Sequence, residues 1–364
     1  KMTKQNKLFA AGLTAGIVVV GAGYVYSQSN SQSNSQSQTQ SQNQATSNSA
    51  SSTGNTSTAD SKQAVTIAYQ TGVDPAKLAQ ADKTYEQTTQ RDINWRKFDT
   101  GADVVAAISA GSIDIGNIGS SPLAAAATKG VPLQVFLVTS EIGEAESLVV
   151  RNASNIKTPQ DLIGKKIAVP YVSTTHYSLL AALKHWNIDP NKVTIINLRP
   201  PEINAAWERG DIDATYVWEP VLSKVKATGH VLTTSKEVAS WGSPTYDLWV
   251  ARKDFAQKNP DFLKQFVKIS TDATGKYSQD PKAFIGNASN VQKIAQITGS
   301  TPSDISTLLA GNRYLPVSEQ QTLLQKPFAD NIRKTAEFLK SQGKVDTVLA
   351  DYSDFVTNQY LDSK

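Results

Sequence analysis

The sequence of 364 residues contains no cysteine and only three histidines. The absence of cysteine excludes a disulfide framework, a cysteine nucleophile, thiolate metal sites and a lipid-modified N-terminal cysteine. His176 and His185 are nine positions apart and therefore face opposite sides of a predicted helix, so they cannot share a metal ion. We expect neither a metal nor a cofactor in this protein.

The motifs of common enzyme classes are also missing. No Walker sequence and no G-x-G-x-x-G opening a helix is present. The string that most resembles a nucleophile elbow, residues 107–111, begins with alanine and lies at a predicted helix end. No catalytic residues are predicted, although an enzyme that uses carboxylates as acid and base is not ruled out by these absences.

Most of the net positive charge lies in residues 1–62. The formal net charge is +4, and four lysines with one aspartate in residues 1–62 account for +3 of it. The remaining residues are close to neutral at +1. This balance gives no electrostatic basis for binding nucleic acid.

The chain begins with a segment typical of export. Lys1, Lys4 and Lys7 precede the uncharged apolar stretch 8–26, which as a helix would extend roughly 28 Å, about the thickness of a bilayer core. Residues 1–26 are therefore predicted to be a signal-anchor or a signal peptide. Cleavage after Ala22 would release the protein, whereas an uncleaved segment would hold it at the membrane.

Residues 27–62 consist almost entirely of serine, glutamine, asparagine and threonine, with no aromatic and no branched aliphatic side chain. Such a segment has nothing to bury, and we predict a disordered linker with a reach of roughly 30–35 Å. A tether of this kind favours retention at the membrane over release.

From residue 63 onward, strand-like and helix-like segments alternate, which indicates an α/β fold. This alternation of strands and helices occurs in two successive runs, which predicts two lobes. Lobe one covers 63–148, lobe two covers 149–248, and 249–364 returns to lobe one with mainly helical segments. The predicted strands are 65–69, 93–98, 113–119, 133–138, 166–170, 193–198 and 213–218.

Two predicted helices begin directly after buried strands. One starts at Pro122 with Ser121 as its N-cap, and the other starts near Thr175 with Ser173 or Thr174 as its cap. Each places hydroxyls and free N–H groups at the carboxyl end of a strand, where open α/β sheets bind ligands. The pair predicts an anion clamp, and ordinary helix capping is the alternative.

A ligand cation would need carboxylates. The candidates are Glu141, Glu144, Glu146, Glu219 and Asp247. Glu146 and Asp247 stand out because each adjoins an apolar run, where an acidic group is costly unless it is paired or binds a cation. A salt bridge to Lys or Arg is the alternative. Aromatic faces for an ammonium are offered by Tyr69, Trp218, Trp241 and Trp249, for which core packing is the alternative.

Several long segments resemble the taurine-binding proteins of ABC importers, within the nitrate/sulfonate/taurine solute-binding group. The similarity is carried by residues 68–82, 95–124, 161–188, 209–220 and 241–256. The resemblance implies a two-lobed, type II-like periplasmic-binding-protein fold that works with a membrane permease and an ATPase. It also implies ligand contacts at Gln70, Ser120, Ser121, Glu146, Thr174, Thr175, Trp218 and Asp247.

These implied contacts suit an aminosulfonate. The helix starts at Ser120–Ser121 and Thr174–Thr175 suit a sulfonate, and Glu146 with Asp247 suits an ammonium. Two unpaired acids would repel a plain anion, but another small sulfonate stays an alternative ligand. A hydrolase or transferase on the same fold is the alternative of another class. The protein is expected to be extracytoplasmic, either anchored to the membrane or released. The hinges between the lobes are expected near 147–151 and 247–251.

Overall fold

The structure is a computed structural model that describes residues 63–362, so the predicted anchor and linker lie outside the described residues. Eleven strands are present in this part of the chain. Their bounds are β1 Val65–Tyr69, β2 Ile93–Lys97, β3 Ile115–Gly119, β4 Leu133–Ile142, β5 Ser147–Arg151, β6 Lys166–Val169, β7 Thr194–Asn197, β8 Ala214–Val217, β9 Gly229–Thr234, β10 Tyr246–Arg252 and β11 Asn312–Tyr314.

Helices follow most of these strands and dominate the last hundred residues. Their bounds are α1 Ala76–Ala81, α2 Thr84–Thr89, α3 Gly101–Ser109, α4 Ser120–Thr128, α5 Thr174–His185, α6 Pro200–Arg209, α7 Val221–Lys226, α8 Ser235–Ser240, α9 Lys253–Lys258, α10 Pro260–Gln279, α11 Pro281–Gly286, α12 Ala288–Thr298, α13 Ile305–Ala310, α14 Val317–Leu323 and α15 Lys326–Ser341. Within residues 63–362, no helix combines the length and the apolar character that crossing a membrane requires.

The strands form two separate mixed sheets. The six-stranded sheet has the order β11-β4-β10-β3-β1-β2, and the five-stranded sheet has the order β7-β6-β8-β5-β9. In each sheet the βαβ units give parallel neighbours, β1 with β2 and β3, and β6 with β7 and β8. One antiparallel strand is inserted in each, β10 beside β3 and β5 beside β8. The α/β fold with two sheets agrees with the sequence-based prediction.

The second lobe is defined as residues 147–234, which build the five-stranded sheet. The first lobe is defined as residues 63–142 together with residues 246–362. The chain crosses between them twice, through residues 143–146 and 235–245. The sequence-based hinge positions, 147–151 and 247–251, fall just after these crossings, on the paired strands β5 and β10.

Each sheet is covered on both faces, as the period-two pattern of strand side chains requires. In β5, Leu148 and Val150 join one apolar cluster while Val149 joins another on the opposite face. The first lobe has a larger core, to which the C-terminal helices contribute aromatic side chains such as Phe266 and Phe328. This rigid packing fixes the strand ends that surround the site described next.

Candidate ligand-binding site

A cavity lies between the two lobes at the carboxyl ends of β1, β3, β6 and β8. Its accessible volume for the centres of water-sized molecules is about 70 Å³, which corresponds to roughly five to seven waters. The residues that line it are Gln70, Gly72, Val73, Asp74, Gly101, Asn117, Gly119, Pro122, Ser140, Ile142, Ala145, Glu146, Ser173, Thr174, Trp218, Glu219, Asp247, Leu308 and Asn312.

Three helices begin at this cavity. Gly101 is the first residue of α3, Gly119 precedes the first residue of α4, and Ser173 caps α5. The first N–H groups of a helix have no intrahelical acceptor and carry partial positive charge. The sequence analysis identified two of these helix starts, and the structure adds α3 as a third.

Five of the eight residues predicted to contact the ligand line the cavity, namely Gln70, Glu146, Thr174, Trp218 and Asp247. The side chains of the other three point into protein. Ser120 Oγ accepts a hydrogen bond from the Tyr246 N–H at 3.0 Å, and Thr175 Oγ1 contacts Ser173 Oγ at 2.8 Å. Ser121 is fully buried and its Oγ has no partner among the described residues.

The prediction that Ser121 is the N-cap of its helix was wrong. Helix α4 starts at Ser120, and Gly119 occupies the N-cap position in an extended conformation with no side-chain cap. The helix starts earlier because β3 ends directly at Gly119 and the chain turns without a loop residue. For α5 the prediction was confirmed, since Ser173 Oγ accepts from the His176 N–H at 3.2 Å.

Glu146 lies in the first crossing between the lobes. Thr174 Oγ1, from the second lobe, donates a 2.7 Å hydrogen bond to its Oε1. Removal from water raises the pKa of Glu146 to about 8, although the Thr174 bond works against this shift, and nearby Asp247 adds to it. A raised pKa means that this carboxyl is costly to ionise here, and a cation that enters the cavity stabilises its charged form.

Asp247 lies on β10, opposite Gly119 in the sheet. Asn117 Nδ2 donates to its Oδ1 at 3.0 Å and to the Leu248 carbonyl at 3.0 Å. Removal from water is the main reason why the pKa of Asp247 rises to about 7, with a further contribution from the negative charge of Asp74. The side chain is therefore held in place by Asn117 while its charge is not neutralised.

The other candidate cation ligands take the alternative roles that the sequence left open. Glu141 pairs with Arg313 at 3.1 Å, and Glu144 lies 3.7 Å from Lys236. By contrast, Glu146 and Asp247 have no Lys or Arg nitrogen within 4.0 Å among residues 63–362. The aromatic candidates Tyr69, Trp241 and Trp249 pack against Trp95, His185 and Phe266, and only Trp218 of this group lines the cavity.

Glu219 also lines the cavity and is more deeply buried than Glu146 and Asp247, which are half-buried. Its Oε1 accepts from both the N–H and the Oγ of Ser223, each at 2.8 Å, so this carboxyl is partly satisfied inside its own lobe. Burial nevertheless raises its pKa above the ordinary range for a glutamic acid. Glu219 therefore adds to the acidic character of the cavity.

The two lobes touch each other across the cavity. Thr71 Oγ1 of the first lobe donates to the Glu219 carbonyl at 2.7 Å. Gly119 lies so close to Thr174 that a Cβ atom added there would be 2.4 Å from the Thr174 Cγ2 atom. At the surface, the Arg199 guanidinium forms two 3.1 Å bonds with the Asp103 carboxylate. These contacts hold the two lobes together around the cavity.

Four polar residues that line the cavity were not predicted as site residues. Two of them could have been recognised from the sequence. Asp74 follows the strand β1, and Asn117 is a polar residue within an otherwise apolar strand. Ser140 and Asn312 lie on β4 and β11. Asn312 had no signal in the sequence, because a three-residue strand inside a helical region joins the sheet only through tertiary contact.

The chemistry of the cavity is asymmetric. Among the described residues that line it there is no Lys, Arg or His, whereas four carry carboxyl groups. An anionic ligand group is therefore served by helix N–H groups and neutral donors, and a cationic group is served by carboxylates.

Comparisons with known proteins agree with this arrangement. Residues 63–283 match the family described as the substrate binding domain of an ABC-type glycine betaine transport system. The chain is 50% identical to the taurine-binding periplasmic protein of Escherichia coli over 297 residues, 82% of this chain and 92% of that protein. It is 30% identical to a putative aliphatic sulfonates-binding protein of the same organism, over 58% of this chain and 66% of that one.

Solved structures share the fold. The alkanesulfonate-binding protein SsuA from Xanthomonas axonopodis pv. citri, bound to MOPS, superposes with a TM-score of 0.68 at 24% identity. The match covers 79% of this chain and 96% of that structure. The two-sheet architecture with a ligand cleft is therefore common to this chain and to proteins of known structure.

Proposed function

We propose, from the premise that this chain belongs to the family of ABC-type substrate-binding domains, that it captures taurine outside the cytoplasm for an importer. The observation that carries the choice of ligand is the pair Glu146 and Asp247, two carboxyl groups without a basic partner in one closed cavity. Such a pair is costly unless a cation neutralises it. The ammonium of an aminosulfonate supplies that cation.

The sulfonate end of the ligand is assigned to the helix starts. The N-terminal N–H groups of α3, α4 and α5 are aligned at the cavity, and they bind an anion without a formal positive charge. Gln70 adds a polar side chain there, fixed by its own 3.0 Å bond to the Asn117 carbonyl. Contacts of Ser120, Ser121 and Thr175 with the ligand stay predictions. We now expect their backbone N–H groups, rather than their side chains, to make these contacts.

Taurine has its sulfonate and its ammonium at opposite ends of a short chain, so one end can meet the helix starts while the other meets the carboxyl groups of the same cavity. A small sulfonate without an amine is the alternative ligand, and it would leave both carboxyl groups without a partner.

Ligand capture is assigned to closure of the two lobes, predicted at 63–148 with 249–364 and at 149–248. Glu146 lies in one crossing, and Thr174 of the second lobe donates to it. A ligand that binds between them stabilises the closed state, because its contacts come from both lobes.

The assigned partners are the permease and the ATPase of an importer, and no catalytic activity is proposed. We also assign residues 8–26 as a membrane anchor with residues 27–62 as its tether, which places the receptor at the cell surface. Cleavage after Ala22 would instead give a periplasmic or secreted form.

The test of ligand choice is isothermal titration of the protein with taurine, ethanesulfonate, nitrate, β-alanine and glycine betaine. We expect one-to-one binding of taurine and much weaker binding of ethanesulfonate, which lacks the ammonium. Glycine betaine carries a cation without N–H donors and should also bind weakly. Tight ethanesulfonate binding without taurine binding would contradict the assignment of the two acids.

Two isosteric variants sharpen this test. Glu146→Gln and Asp247→Asn should each weaken taurine binding by about tenfold or more, because a charge-assisted hydrogen bond contributes about 1.5–3 kcal/mol. Ethanesulfonate affinity should hold or increase in both. The matched control is Glu144→Gln, because Glu144 is two residues from Glu146 but exposed and outside the cavity. Unchanged taurine affinity in both site variants would refute the ammonium assignment.

A further inference from the structure

The cavity collects more acid than its surroundings can neutralise. Four carboxyl side chains line it, and Lys77 pairs with one of them, Asp74, at 2.9 Å. Among residues 63–362, the other three have no Lys or Arg nitrogen within 4.0 Å. Several unpaired negative charges that line one cavity repel each other, so some of these groups bind protons instead.

Exposure and hydrogen bonding distinguish these three groups. Glu219 is buried, with two Ser223 donors to its Oε1 and no partner for its Oε2 among the described residues. Glu146 and Asp247 each receive one side-chain donor, from Thr174 and Asn117, and both are only half-buried at the cavity. These two are therefore the carboxyl groups that a ligand can reach.

We propose that this receptor binds its ligand in exchange for protons, so that the ammonium group of the zwitterion displaces protons held by Glu146 and Asp247. The inference rests on the proposed function, since only a ligand with a cationic end can replace them. Each displaced proton leaves to solvent, and the carboxylate that remains accepts an N–H of the ammonium. The zwitterion brings no net charge, so the complex becomes more negative by one unit for each proton released, and the ammonium offsets that charge locally.

The other titratable groups near Glu146 oppose its ionisation. Asp247 faces it from β10 and raises its pKa, and the buried Tyr216 hydroxyl on β8 is near enough that Glu146 in turn raises the pKa of the phenol. Thr174 supplies a neutral donor only.

Asp247 has both a negatively and a positively charged neighbour. Asp74 raises its pKa, while Lys77 lowers it to a smaller extent, and the Tyr314 hydroxyl on β11 also responds to its charge. Burial dominates for both carboxyl groups, with pKa values of about 8 for Glu146 and about 7 for Asp247.

The sign of the effect follows from these values. An ammonium stabilises the ionised carboxylates, so it lowers both pKa values in the complex. Below pH 7 the two carboxyl groups hold protons in the absence of a ligand and binding must remove them, which weakens affinity. Affinity for the zwitterion therefore increases as the pH rises toward about 8 and then levels off. The expected slope is about tenfold per pH unit for each proton released, so it is steepest well below pH 7 and corresponds to about one proton near pH 7.

The experiment is titration calorimetry of the full chain with taurine at pH 6, 7 and 8. Each pH is measured in two buffers with different ionisation enthalpies. The difference in apparent enthalpy gives the number of protons released, which we expect to be about one at pH 7. Glu146→Gln should lower that number, because a carboxamide has no proton to lose in this range.

Ethanesulfonate is the matched control ligand. It has no ammonium, so it should release no protons, and its affinity should fall as the pH rises and the carboxyl groups ionise. Taurine binding with equal affinity at pH 6 and pH 8 and no buffer dependence would overturn the exchange and leave the proposed function intact. Absence of taurine binding at every pH would overturn both.

Discussion

Replacing Gly119 with alanine tests whether the two lobes must meet as closely as the structure shows. The added Cβ would lie 2.4 Å from the Thr174 Cγ2 atom, compared with an ordinary carbon–carbon contact of about 3.5–4.0 Å. The backbone at Gly119 has a φ of −92°, which alanine adopts readily. The expected defect is therefore a steric conflict between lobes rather than a strained turn.

The size of the effect follows from what Thr174 would have to give up. Either the lobes stay about 1 Å further apart or the Thr174 side chain rotates away, and both outcomes break its 2.7 Å bond to Glu146. A hydrogen bond to a charged group contributes about 1.5–3 kcal/mol. Gly119→Ala should therefore weaken taurine binding by about 10- to 100-fold.

The assay is calorimetric titration with taurine, with thermal unfolding as a check on folding. Gly72→Ala is the matched control, because Gly72 lines the same cavity and an added Cβ there meets nothing within 4 Å. Thr174→Ser removes the clashing methyl group and keeps the hydroxyl, so it should restore binding to Gly119→Ala. Wild-type affinity in Gly119→Ala alone, or failure of the rescue, would refute the proposed closed-state contact.

Two further predictions concern ion pairs. Arg199→Ala removes the exposed pair with Asp103 that joins the lobes, and it should weaken taurine binding by no more than about fivefold at low salt. In 1 M salt that difference should vanish, since screening then acts within about 3 Å. Lys77→Met leaves the buried Asp74 carboxylate without its partner and should cost about 3–5 kcal/mol in urea unfolding. Lys268→Met, whose pair is exposed, should change stability by less than about 1 kcal/mol and serves as its control.

Local sequence patterns were sufficient for the regular elements. The predicted strand 65–69 coincides with β1, and the helix predicted to start near Thr175 begins one residue earlier, at Thr174. Runs of branched apolar residues next to a capping serine define such elements within a few positions of the chain. The same local logic singled out Glu146, Thr174, Trp218 and Asp247, which line the cavity, whereas Gln70 was implied only by the family resemblance.

Patterns that depend on adjacent elements were less informative. Ser121 is a residue type favoured at N-caps, but the turn after β3 shifts the helix start to Ser120. The sequence distinguished Glu146 from Glu141 only by its apolar neighbours and left a salt bridge open for Glu146. The structure decides between these roles, because Arg313, far along the chain, reaches Glu141 and no Lys or Arg nitrogen of the described chain lies within 4.0 Å of Glu146.

By itself the sequence determined the α/β class, the strand and helix positions, and the acids and hydroxyls available for a ligand, because each of these depends on neighbours within a few residues. Only the tertiary structure decided which of them meet. Thr174 reaches Glu146, Gly119 approaches Thr174, and Asn312 enters the cavity from a distant strand. Those contacts join residues 28 to 169 positions apart, and they follow from the packing of two sheets rather than from any local periodicity.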